Sequence, residues 1–194
     1  MKTIFLSYRT DDSVHATMAI SDRLAGHFGR ERVFRDHDSL RVGTLYPRRI
    51  RSALERSDVV LAVIGPRWLE SRDGRDRRRI DDPRDWVRVE LRMAFRQEIP
   101  VVPVLLDGTP LPAREQLPED LGLLPLSTFH QVRHQSWAAD LQALVEKLDP
   151  DATVPPPAGA SNVQHTTVGG NGVAYVSQNG SQVIKTHGRD GARG

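Results

Sequence analysis

Trp86 and Glu90 stand four residues apart in a stretch that reads as helix, so an aromatic plate and a carboxylate share one face. Tyr8 and Arg9 close an apolar run near the start of the chain, and Asp36 follows a second, shorter run. An aromatic ring can stack on a flat ligand, and a guanidinium can pair with a phosphate. A fixed carboxylate can stabilise positive charge developing on a sugar while accepting hydrogen bonds from its hydroxyls. Each residue also has a plainer use. A lone Glu on an amphipathic helix is ordinarily solvated surface, and a large aromatic at helical spacing ordinarily packs in the core. Tyr8-Arg9 equally suits a structural pair at a strand end.

Residues so far apart in sequence need a scaffold that gathers them. Between residues 3 and 148, short apolar runs alternate with helical patterns, the signature of βαβ units and a mostly parallel sheet. Strands are expected at 3–8, 32–35, 59–64, 100–106 and 126–132. Residues 59–64 are continuously apolar, as in a central strand covered on both faces. Pro103 has no amide to donate, so it is expected at a bulge or an unpaired edge.

In the first helix, capped by Asp12 or Ser13, Ala16, Ile20, Leu24 and Phe28 repeat every four residues, and Gly29 stops it. Pro47 suits the first turn of a second helix with Ile50, Ala53 and Leu54 inward. Asp82-Pro83 reads as an N-cap and first-turn proline opening a third helix through about residue 97. Ser136 caps the last helix, with Trp137, Leu141, Leu144, Val145 and Leu148 as its inner stripe. The fold class expected is α/β, a flavodoxin-like five-stranded parallel sheet with helices on both faces. In such sheets ligands bind beyond the carboxyl ends of the strands. Ser7, Tyr8, Arg9, Asp36, Gly65-Pro66 and the opening of the Trp86–Glu90 helix all fall on that rim.

Other features carry less. Asp36-His37-Asp38 superficially suggests a metal, but three adjacent loop side chains rarely converge, so no metal is expected. The arginines at 72, 75, 77, 78 and 79 are interleaved with aspartates at 73, 76, 81, 82 and 85, as in a solvated loop. Gly169-Gly170-Asn171-Gly172 lacks the strand and helix that a phosphate-binding loop requires. A phosphoacceptor receiver domain needs a carboxylate cluster after strand one and an Asp ending strand three; Tyr8-Arg9 and Gly65-Pro66 stand there instead.

The chain has 194 residues, 38% hydrophobic and 27% charged, enough for one α/β domain with a sizeable core and an appendage. A net charge of +2 gives no chain-wide field for nucleic acid, and with no Cys there is neither a thiolate zinc site nor a Cys nucleophile. The first apolar run is too short for a signal peptide, and no run approaches the roughly 20 residues of a membrane span. A cytoplasmic protein without nucleic-acid or membrane partners is expected.

Four blocks carry a family resemblance: Phe5-Leu6-Ser7-Tyr8-Arg9; Val33-Phe34-Arg35-Asp36 with a loop through Gly43; residues 58–66; and Asp85-Trp86-Val87-Arg88-Val89-Glu90-Leu91. In order and spacing they resemble a bacterial Toll/interleukin-1 receptor (TIR) domain over about residues 3–148. The resemblance implies a five-stranded fold and, in enzymatic members, cleavage of NAD+ at the nicotinamide glycosidic bond by the Glu matching Glu90. Other members are non-catalytic adaptors. NAD+ would enter as substrate, with no cofactor, and Tyr8, Arg9, Asp36 and Trp86 would contact it: Tyr8 and Trp86 by stacking, Arg9 through the pyrophosphate. Asp36 would hold a sugar hydroxyl or order Arg9. The chemistry suits a single carboxylate, because the pyridinium leaves as neutral nicotinamide and needs no general acid, unlike the leaving group of an ordinary glycosidase. The 37–46 loop, with Gly43 and Leu45, is the implied assembly loop between neighbouring TIR domains. A glycosyl-transfer enzyme of similar fold acting on nucleosides is a third reading.

Composition changes at Pro150. Residues 1–149 read as the TIR domain, 150–160 as a Pro-rich linker and 161–194 as a low-complexity Gly/Asn/Gln/Val tail, disordered or amyloid-forming. The window 173–180 joins β-branched and aromatic residues to amide side chains without charge, a composition that can stack as cross-β. It resembles the amyloid signalling motifs at the termini of bacterial immune proteins, although the core sequence of the necroptosis-type motif is absent. Self-association through domain and tail, and an upstream sensor with a matching motif, are the partners implied.

Overall fold

The computed structural model describes residues 2–35 and 46–150, with side chains from residue 50 onward in the second stretch. Asp36, the 37–46 loop except for the backbone of its last residue, the linker beyond Pro150 and the tail lie outside the described residues. The strands are β1 (Ile4–Ser7), β2 (Val33–Arg35), β3 (Val59–Ile64), β4 (Val101–Leu106) and β5 (His130–Val132). The helices are α1 (Thr10–Phe28), α2 (Tyr46–Glu55), α3 (Trp86–Arg96) and α4 (Trp137–Leu148). All strand pairs are parallel, in the order β2-β1-β3-β4-β5.

Strand alternation divides the core in two. Ile4, Leu6, Leu61 and Val63 pack with Ile20, Leu24 and Phe28 of α1 and Leu141, Leu144 and Leu148 of α4. Phe5, Val60, Ala62 and Ile64 pack with Ile50 and Leu54 of α2 and Val87, Leu91 and Ala94 of α3. Every residue of β3 is buried, as its unbroken apolar run requires.

Several boundaries differ from the sequence expectation. The cap of α3 is Asp85, whose side chain accepts from the Arg88 amide; Asp82 and Pro83 belong to the turns before it. The first helix begins at Thr10 with non-helical backbone at Ser13, and Asp12 accepts instead from the amides of Gly65 (2.9 Å) and Arg67 (2.8 Å). Residues Leu124–Leu126 form a 3-10 turn, which shortens β5. Pro103 sits in β4 between two strands, not at an edge or a bulge. Pro100 O accepts from Val60 and Asp107 N donates to Val132, so successive β4 residues face β3 and β5 in turn. Pro103 therefore faces β5, one residue before that ladder begins at Val104.

Candidate active site

The side-chain alternation of β1 continues past its last paired residue, since Arg9 is still extended (φ −101°, ψ 124°). Ser7 and Arg9 thus follow Phe5 to the α3 side, while Tyr8 follows Ile4 and Leu6 to the other. On the α3 side two contacts tie the end of β1 to the helix. Ser7 Oγ donates to Glu90 Oε2 at 2.6 Å, and Glu90 is 1% exposed. Two residues on, Arg9 donates through Nη1 and Nη2 to the Asp85 carboxylate at 2.9 and 3.0 Å, and through Nε to the Trp68 carbonyl at 2.8 Å. Its guanidinium lies 5.6 Å from the Trp68 ring centroid. Both partners of the Arg9–Asp85 pair are buried, with side-chain exposures of 0% and 2%.

Asp85 is the hub of this end. Besides Arg9 it receives the Arg88 amide (3.2 Å), capping α3, and lies 3.4 Å from Arg79 Nε. Arg79 in turn pairs with Asp11, which accepts from Ser71 Oγ at 2.6 Å. Burial raises the Asp11 pKa, but the Ser71 hydroxyl, a backbone hydrogen bond and the charges of Arg79 and Arg9 outweigh it and leave it lowered.

The structure thus sorts the candidates. Glu90 is interior and held, not a solvated surface carboxylate. Trp86, the first residue of α3, is half-buried against the α2/α3 core. The ring of Tyr8 packs in the α1/α4 core, on the opposite face of the sheet from α3. Arg9 turns its donors to Asp85 and Trp68, as in the structural reading of the strand end. Asp36, Gly43 and Leu45 lie outside the described residues. Sequence reasoning placed Ser7 on the rim but did not foresee its bond to Glu90, 83 residues away. It missed the roles of Asp85 and Trp68. The one local signal was an Asp immediately before the first helical residue, a common cap.

A doubly wound parallel α/β sheet with a buried carboxylate at the carboxyl end of β1 defines the class of this protein. Residues 4–145 match the family described as TIR domain, and the chain belongs to that family. Among solved structures it is similar to the TIR domains in the structure of the activated Roq1 resistosome directly recognizing the pathogen effector XopQ. The identity is 17%, over 76% of this chain and 99% of that one, with a TM-score of 0.57, a likeness of fold. No curated protein matches.

Proposed function

We propose that this protein cleaves NAD+ between nicotinamide and ribose, with Glu90 as the catalytic carboxylate. The observation that carries the reading is Glu90 itself, 1% exposed and bonded to Ser7 Oγ at 2.6 Å at the carboxyl end of the sheet. A carboxylate fixed in an interior setting stabilises a developing cation far better than one in bulk water, because it does not reorganise as the charge forms. The C1′–N bond breaks with its electron pair passing to the pyridinium nitrogen, which leaves as neutral nicotinamide. The ribose cation faces Glu90 until water adds at C1′ and a proton goes to solvent, giving ADP-ribose; capture by a base nitrogen gives a cyclised product instead. Trp86, at the start of the same helix, would form a wall of the nucleotide site.

Assembly would govern this activity, with TIR domains meeting one another and the 161–194 tail raising their local concentration. Family membership supports the first contact, and the weakly charged, amide-rich composition of the tail supports the second. Purified full-length protein incubated with NAD+ should release nicotinamide, and a chain ending at Asp149 should release it more slowly at dilute concentration. A protein that self-associates without releasing nicotinamide would be an adaptor.

A further inference from the structure

We infer that Arg9 and Asp85 form a positioning clamp for Glu90, so that Arg9 acts through α3 and not on the substrate. The inference rests on the proposed NAD+ cleavage for its kinetic consequence, but the clamp itself is a matter of geometry. Two side-chain links join the end of β1 to α3, one at the helix cap and one in its second turn. Ser7 and Arg9 are two residues apart on one face of an extended segment, and their partners Glu90 and Asp85 are five apart on the helix. The Arg9 link is the stiffer of the two. It is bidentate, buried at both ends, and held from below by the Trp68 carbonyl and ring.

Asp85 also caps α3, so the same carboxylate sets where the helix starts and how its first turn is rotated about the axis. Glu90 is one turn and a half further on. A small rotation at Asp85 therefore carries the Glu90 carboxylate away from Ser7 Oγ, and a misplacement near 1 Å can cost on the order of 10²-fold in rate. Lysine at position 9 would keep the charge but lose the planar fork that spans both Asp85 oxygens and the Trp68 carbonyl together. The substrate itself would meet the same groups in the same pocket, only misaligned.

The test uses full-length protein carrying Arg9→Lys, with Asp85→Asn as the milder change, since Asn keeps the capping acceptor and the side-chain shape. Amide hydrogen exchange at residues 86–90 should quicken in each folded variant while β3 stays protected, and the double variant should add little to the singles. In kinetics, kcat should fall on the order of 10²-fold with KM for NAD+ within about twofold. An Arg9 that instead bound pyrophosphate would raise KM and leave α3 exchange unchanged, and that result overturns the clamp. Unchanged exchange in both variants does so too, even without kinetics. Wild-type protein that releases no nicotinamide defeats the proposed activity alone, because the exchange comparison still decides the clamp.

Discussion

Arg–Asp pairs at the end of β1 and in the segment before α3 share a chemistry, but their settings make them different devices. At the end of β1, Arg9 and Asp85 meet at 2.9 Å with side-chain exposures of 0% and 2%. In the segment before α3, Arg77 meets Asp73 at 2.8 Å and Arg78 meets Asp81 at 2.8 Å, at exposures of 61% and 28% and of 28% and 51%. The distances are nearly the same. In the open loop, water already solvates both charges, and holding two long side chains together offsets much of the attraction. In the interior, removing Asp85 leaves the buried Arg9 guanidinium without its carboxylate, a far larger cost. Contact geometry therefore says little about what an ion pair does; burial and the other bonds of each partner decide it. Asp85 caps a helix and receives Arg9 at once, whereas Asp73 and Asp81 organise only their own turns.

The contrast is sharpest when one partner is removed. Asp85→Ala should destabilise the domain by about 3–5 kcal/mol in urea unfolding, since it leaves the Arg9 guanidinium buried and unpaired and removes the α3 cap. A loss below about 1 kcal/mol would erase the distinction between the two regions. Asp81→Ala, in the exposed pair, should change stability by no more than about 1 kcal/mol and less at high salt.

The smallest effect is a titration. The amides of Arg77 and Arg75, followed by the Arg77 side chain, lower the Asp73 pKa from 3.8 to about 2. A carboxylate depressed in the folded state stabilises it above the unfolded pKa, and that contribution fades as pH falls from 3.8 towards 2. The Asp73 carboxyl carbon should accordingly titrate by NMR with a midpoint near 2; a midpoint near 3.8 would mean that the turn is not held in solution.

The same two regions show what the sequence discloses. The open loop was legible because its pairs are local: Arg77 and Asp73 are four residues apart, and alternating signs announce a solvated segment. The scaffold was legible for a similar reason, since β3 is one apolar run and α1 carries Ile20, Leu24 and Phe28 at helical spacing. The buried pair was not, because Arg9 and Asp85 lie 76 residues apart and only the crossing of β1 and α3 brings them together. Strand alternation places Ser7 and Arg9 on one face and Tyr8 on the other, but only the contact of Ser7 with Glu90 shows which of the two faces α3 covers. The start of α3 was misjudged because Asp82-Pro83 and Asp85-Trp86 both make good helix openings, and the competing turns around Arg79–Asp81 leave the second one in use.

If the carboxylate at position 90 performs the proposed chemistry, Glu90→Gln should remove it. The amide is nearly isosteric and can still accept from Ser7 Oγ, so the fold should persist, but it cannot neutralise the ribose cation. Nicotinamide release from NAD+ should fall by at least roughly 10²–10³-fold in protein whose unfolding midpoint is unchanged. Undiminished release from that folded variant would contradict the account.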